Sequence, residues 1–177
     1  MIRVSQIRLA GMILVTALTL GGCGFTPMYA ASDAPGDVAV TNAMAAIRIH
    51  PIADHDGVKL RQVLREGLEP DGAATNLQYD LEIQMVSVTQ ELGIQKDATS
   101  TRANRIYTAK FALSQKGRRV LGDQVQSVVS YDIANDQYAT VAAINDASDR
   151  AIKQIGDEIR TRIAIYLRSH TEVAASH

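Results

Sequence analysis

Apolar residues follow two helical patterns, one early and one late in the chain. In the first, between residues 56 and 70, they recur at i, i+3, i+4, i+7 and i+8 and so share one helical face. These residues are Leu60, Val63, Leu64, Gly67 and Leu68. Asp56 is the predicted N-cap and Pro70 the predicted end of an amphipathic helix.

The second helical pattern runs through the C-terminal region, where Asn135 or Asp136 can cap a helix. Helical spacing is then kept by Val141, Ile144, Ala151, Ile152, Ile155, Ile159, Ile163 and Leu167. Roughly thirty residues at about 1.5 Å each make a helix of about 45 Å, which is longer than a small domain needs.

Alternation of apolar and polar residues, the pattern of a half-buried strand, marks four segments. The first is 45–52, before the first helix. The second starts with apolar residues at period two, namely Leu77, Tyr79, Leu81, Ile83 and Met85. Val86 and Val88 continue in the opposite phase, so we expect a bulge or sharp twist near Met85.

The other two strands flank a hairpin turn. After a polar loop at 93–102, the segment 102–114 alternates, and the glycine of "QKGRR" supplies the turn into a returning strand at 120–133. The predicted order is β-α-β-β-β-α. Strands clustered between two helices indicate an α+β fold, with two layers, about four mostly antiparallel strands and both helices on one face of the sheet.

The N-terminal region has the layout of a secretory signal. Arg3 and Arg8 precede an uncharged apolar run, residues 9–22, that is shorter than the ~20 residues needed to span a bilayer. The run ends at Cys23, the only cysteine of the chain, and the segment "LGGC" resembles a bacterial lipobox. That resemblance implies cleavage before Cys23, a diacylglycerol on its sulfur and an acyl chain on its new amino group. The alternative is a buried cysteine at the edge of a core.

These patterns divide the chain into four parts. They are a signal peptide (1–22), a lipidated N-terminus and tether (23–44), a single α+β domain (45–169) and a flexible tail (170–177). The residue after Cys23 is Gly24 and not an aspartate, and in enteric-type sorting that pattern resembles lipoproteins sent on to the outer membrane.

Charge and motifs exclude several functions. Loss of the signal leaves 155 residues with 16 Lys and Arg against 19 Asp and Glu, a net charge of −3, which argues against nucleic-acid binding. The chain has no nucleophile elbow, P-loop or dinucleotide fingerprint, so we expect neither catalysis nor a cofactor. His50 and His55 match no common metal-site spacing, and we expect no metal.

Four stretches, in this order and spacing, resemble the LptE family of lipopolysaccharide-assembly lipoproteins in its alphaproteobacterial form. They are "GCGFTPMY", "TSTRANRIYTAKFALS", "SYDIANDQYA" and "RAIKQIGDEIRTRIAIYL". The likeness covers nearly the whole chain from Cys23 to Leu167. It implies a non-enzymatic outer-membrane lipoprotein, on the periplasmic side, that plugs and helps to assemble the LptD β-barrel and delivers lipopolysaccharide to the outer leaflet.

The resemblance also implies candidate contacts with lipopolysaccharide. Arg102 falls at the matching loop-to-strand position, with Arg105 close by, and an arginine fork suits phosphate groups. The family's second basic contact lies near the start of the last helix, where this chain has no Lys or Arg between residues 120 and 149. For Arg102 the alternative is an ion pair with Asp97 or Glu91.

Tyrosine is favoured at protein interfaces, so Tyr107, Tyr131 and Tyr138 are the candidate contacts with the barrel. Two other functions fit a lipid-anchored periplasmic domain of this size. One is an accessory subunit of a phospholipid or solute ABC transporter, and the other is an outer-membrane-tethered hydrolase. The identity of the partner separates the first from the barrel plug.

Overall fold

The computed structural model describes residues 35–69, 72, 74–94 and 100–175. Its elements in chain order are α1 (Pro35–Ala45), β1 (Ile47–Ile49), α2 (Asp54–Leu68), β2 (Tyr79–Ile94), β3 (Ser100–Gln115), β4 (Arg118–Asp132) and α3 (Gln137–Ala175). This order contains the predicted β-α-β-β-β-α sequence with one further helix in front, and the α+β fold is confirmed.

The sheet order follows the chain order, β1-β2-β3-β4. β1 runs parallel to β2, and the other two neighbouring pairs are antiparallel. β1 is so short that it pairs only with Tyr79–Leu81, whereas β2 has 16 residues. The result is an open, mixed and mostly antiparallel sheet, in agreement with the prediction from alternation.

Helix α1 lies in a segment whose composition indicated a tether. Pro35 occupies its first turn, where the missing N–H of proline is tolerated. Val40 is buried, and Asp37 forms an ion pair with Arg168 near the end of α3. Packing against α3 therefore holds a helix that local sequence did not signal.

The core lies between the inner face of the sheet and the helices α2 and α3. Its largest fully buried side chains are Tyr107, Phe111, Ile47, Leu60, Leu64, Leu68, Leu81, Leu113, Ile152, Ile155, Ile159 and Ile163. The apolar stripes predicted for both helices supply seven of these, which explains why those helices form. α3 is 39 residues long and continues to Ala175, past the predicted domain end at residue 169.

The bulge predicted near Met85 was wrong. β2 and β3 keep one register through Met85 and Val86, and the irregularity lies instead between Leu113 and Ser114, where β3 pairs with β4. Alternation continues without interruption, so Val86 and Val88 turn outward and are 62% and 61% exposed. The apparent change of phase arose because apolar residues here occupy the face of the sheet that points away from the helices.

Candidate functional site

One end of the domain collects most of the candidate residues. β3 begins there, β4 ends there, and α3 starts five residues after β4. We define the distal end by Leu92, Arg102, Asp132 and Tyr138. The register places Leu92, Arg102 and Asp132 side by side across three strands. The other end of α3 contacts α1 through Arg168.

Arg102 is exposed at the distal end and pairs across the sheet. Its Nε donates to Oδ1 of Asp132 at 3.0 Å, and the two side chains are 61% and 74% exposed. The sequence had suggested Asp97 or Glu91 as partner, and Asp97 lies outside the described residues. Asp132 was missed because it is brought opposite Arg102 only by the β3–β4 register. An exposed pair of this kind contributes at most about 1 kcal/mol to stability.

Arg105 is three residues further along the strand and leaves from the opposite face of the sheet. Its Nη2 lies 3.4 Å from Oδ2 of Asp56 and 3.3 Å from Oγ of Ser87. The guanidinium carbon also lies 5.2 Å from the ring centroid of Tyr107, within the range of a cation–π contact. The structure therefore does not bring Arg102 and Arg105 together into one basic site.

Tyr107 is a core residue and offers no surface to a partner. Its side chain is fully buried, and its hydroxyl lies 2.9 Å from Oδ2 of Asp56 and 2.7 Å from Oγ of Ser148. Burial raises the pKa of the Tyr107 hydroxyl. Asp56 was predicted as the N-cap of α2, and this was wrong. The helix begins at Asp54 with no side-chain cap, which leaves Asp56 to accept from Tyr107.

The other two candidate tyrosines lie near the distal end. Tyr138 is 87% exposed in the first turn of α3, and its backbone N–H donates to Oδ1 of Asp136 at 2.8 Å. Asp136 is therefore the cap that the sequence indicated. Tyr131 pairs with Ala103 in the register and is half-buried. Tyr138 thus presents far more surface than Tyr131.

An apolar strip on the outer face of the sheet was not anticipated. Val88, Ile106 and Val128 form one row across β2, β3 and β4. Val88 and Val128 are 61% and 52% exposed, and Val86 extends the strip along β2. The change of phase at Val86 in the sequence indicates this exposed apolar face, although it was interpreted as a bulge.

A groove of about 1000 Å³ lies between α2 and α3. Its charged lining residues are Lys59, Arg61, Arg65, Glu66, Asp149, Lys153 and Asp157. Lys59 Nζ reaches Oδ1 of Asp149 at 2.6 Å. Because both signs of charge line the groove, it does not select a ligand by charge.

Nε2 of His50 lies 3.1 Å from Oδ1 of Asp80, which Arg48 also approaches, so His50 takes part in an ion-pair cluster beside β1. In the described part of the chain, no group of three His, Cys, Asp or Glu side chains could hold a metal ion. No helix there is long and apolar enough to cross a membrane. Cys23 lies outside the described residues.

A protein-family model described as LptE, lipopolysaccharide-assembly, matches residues 44–163. The match begins just before β1 and ends in α3, so it includes the whole sheet. No curated protein matches the chain.

Solved structures share the fold. A lipoprotein of Caulobacter crescentus CB15 superposes with a TM-score of 0.61 at 20% identity, covering 73% of this chain and 96% of that chain. A minor lipoprotein of Acinetobacter baumannii superposes with a TM-score of 0.54 at 14% identity, covering 67% of this chain and 91% of that chain. At these identities the likeness concerns the fold.

Proposed function

This chain belongs to the LptE lipopolysaccharide-assembly family, and on that premise we propose that it is a non-enzymatic, lipid-anchored lipoprotein of the outer membrane that plugs and helps to assemble the β-barrel LptD. The observation that carries the proposal is the extent of the family match. It includes all four strands, α2 and most of α3, so the resemblance rests on most of the core and not on one motif.

The membrane anchor in this proposal is Cys23, acylated on its sulfur and its amino group after removal of the signal peptide. Two or more acyl chains hold a protein stably at a membrane, whereas one is only marginal. The described fold begins at Pro35, and α1 is paired with the last turns of α3 through Asp37 and Arg168. The start of α1 therefore lies toward the end of α3 opposite Tyr138, about 45 Å away along the helix.

This arrangement leaves the distal end available to the transported glycolipid. Arg102 is exposed there and pairs with the exposed carboxylate of Asp132, whereas Arg105 lies between Asp56 and Tyr107 with its side chain 25% exposed. Phosphate groups bind an arginine fork in a charge-assisted, bidentate manner. We infer that Arg102, and not Arg105, is the residue that contacts lipopolysaccharide, with Tyr138 nearby as the candidate contact with the barrel.

The test is gentle detergent extraction of a tagged full-length copy from its native cell, followed by mass spectrometry of the proteins that co-purify. Recovery of a stoichiometric large outer-membrane barrel supports the proposal. Recovery with inner-membrane permease or ATPase subunits contradicts it and favours a transporter accessory. In parallel, Cys23→Ala is expected to abolish metabolic labelling with a radioactive fatty acid.

A further inference from the structure

β2 has an open edge along most of its length. On the side away from β3, β1 pairs only with Tyr79–Leu81, and the last backbone bond is from the His50 N–H to the Leu81 carbonyl at 3.0 Å. Beyond Leu81, no described residue makes a backbone hydrogen bond to this edge. The outward N–H and C=O groups of Glu82–Ile94 are therefore a template for another strand.

The helices leave the later part of β2, from Val86 onward, uncovered. α3 packs against β4 and β3, and α2 contacts β1, so neither helix packs extensively against β2. Every residue from Val86 to Leu92 is exposed, which includes both those on the outer face and those on the inner face. The side chains from Val86 to Leu92 are therefore accessible, and the nearest helical residues are those at the start of α2, which line a pocket with Met85, Val86 and Ser87.

This edge lacks the features that usually prevent strands from pairing. The segment Gln84–Gln90, "QMVSVTQ", contains no charged residue, proline or glycine, and its register shows no bulge. It is rich in β-branched residues, as strands that pair readily are. The opposite edge, β4, differs because it carries Arg118, Arg119 and Asp123 and lies next to the register shift of the β3–β4 pair.

We propose that the open edge of β2, centred on Gln84–Gln90, is a docking site at which an extended segment of the protein partner adds a fifth strand to the sheet. Backbone hydrogen bonds supply the attraction, as in other cases of β-augmentation, and the exposed valines add apolar contacts. The inference rests on the proposed function, because the segment is assigned to the barrel partner.

The charges of β2 favour pairing with a strand of another protein over pairing with a second copy of this chain. β2 has no Lys, Arg or His, and the docking segment is flanked by the exposed carboxylates of Glu82 and Glu91. Neither has an ion pair with a described residue. Two β2 edges paired with each other would bring four such carboxylates together without a cation, whereas opposite charges on neighbouring strands stabilise pairing. The partner segment should therefore carry Lys or Arg near its ends.

The first measurement is residue-resolved amide hydrogen exchange of the full-length lipidated chain, alone and in the detergent-extracted complex with LptD. Strand addition protects alternate residues of Gln84–Gln90, since only every second N–H points to the open edge. The expected result is slowed exchange with period two in the complex. Unchanged exchange of these amides in a complex that does form would overturn the docking site and leave the proposed function standing.

Three lysine variants locate the contact independently. Val88→Lys and Thr89→Lys place a charge on opposite faces of the same edge, and Val128→Lys is the matched control, an exposed valine in the same row on β4. We expect the first two to weaken recovery of the barrel about tenfold and the control to have little effect, because edge lysines block strand addition. Circular dichroism confirms that each variant folds.

The other outcomes are equally decisive. Loss of the barrel with Val88→Lys and Val128→Lys, but not with Thr89→Lys, would assign the contact to the outer face and overturn edge pairing. A dimer of this chain that Thr89→Lys dissociates would make a second copy the occupant. If the unmodified chain forms no complex with the barrel, both the proposed function and the assignment of the barrel as the docking partner are rejected.

Discussion

The hydroxyl oxygens of Tyr107 and Ser148 lie 2.7 Å apart in the core, where they join the middle of β3 to α3. Tyr107 also lies 2.9 Å from the carboxylate of Asp56 at the start of α2. An ionised carboxylate can only accept, so the Tyr107 proton goes to Asp56 and the Ser148 hydroxyl donates to the Tyr107 oxygen. One buried phenol therefore connects the sheet to both major helices.

Tyr107→Phe should lower the free energy of unfolding by about 1 kcal/mol, because a net intramolecular hydrogen bond contributes about 0.5–1.5 kcal/mol. The ring would still fill its place in the core. Urea denaturation followed by circular dichroism measures the change. Tyr138→Phe, at an 87% exposed position, is the control and should leave the urea midpoint where it is.

Stability should decrease at alkaline pH, and Tyr107 should contribute to the decrease. Burial raises the pKa of Tyr107 and also that of Tyr79. The unfolded chain therefore releases these protons near the ordinary value of about 10, while the folded chain still holds them. The stabilisation is complete below about pH 10 and is lost as pH rises through the folded-state pKa. Urea midpoints between about pH 8 and 11 should fall more steeply for the unmodified protein than for Tyr107→Phe. Parallel curves would contradict the assignment.

The crossing of α2 and α3 depends on Gly156. A Cβ atom there would lie 2.6 Å from Cγ1 of Val63, a β-branched side chain that has little freedom in a helix. Gly156→Ala should therefore destabilise the protein, although alanine is better than glycine in a helix by about 1 kcal/mol. In a Val63→Ala background the clash is removed, and the same change should stabilise. A double-mutant cycle by urea denaturation should give a coupling of about 1 kcal/mol or more, and additive changes would exclude the contact.

Local sequence predicted the elements because periodicity reports which residues share a face. Leu60, Leu64, Ile155 and Ile159 were assigned to buried helical faces and are buried. Periodicity does not report what covers a face, and Tyr107 illustrates the limit. The alternation correctly assigned Tyr107 to the same face of β3 as its apolar neighbours. That face is buried because α2 and α3 pack against it, which the alternation does not report.

Two other residues depended on contacts far away in sequence. Asp56 was interpreted as a helix cap from its neighbours, but its carboxylate is bonded to a tyrosine 51 residues later in the chain. Asp132 was not considered as the partner of Arg102, because the pair exists only through a hairpin register over 30 residues. The composition of residues 35–45 indicated a tether and not α1, because this helix depends on packing against α3.

The two arginines of β3 should separate glycolipid binding from stability. Arg102 is 61% exposed and pairs with an exposed carboxylate, whereas Arg105 is 25% exposed and lies between Asp56 and Tyr107. Arg102→Gln should weaken binding of purified lipopolysaccharide by about threefold to tenfold, as expected when a charge-assisted contact with phosphate is lost, and should change the urea midpoint little. Arg105→Gln should do the reverse and lower the free energy of unfolding by up to about 1 kcal/mol.

The control is Arg118→Gln, which removes an exposed arginine at the opposite end of the sheet. If binding reflects only the overall charge of the domain, Arg118→Gln and Arg102→Gln will weaken it equally, because a charge removed anywhere on the surface reduces long-range attraction by a similar amount. If binding uses a defined contact at the distal end, only Arg102→Gln will do so, and Arg102→Lys will restore it in part because lysine keeps the charge but not the planar fork. Equal effects at the two positions would therefore reject the assignment of Arg102, whatever the stability of Arg105→Gln.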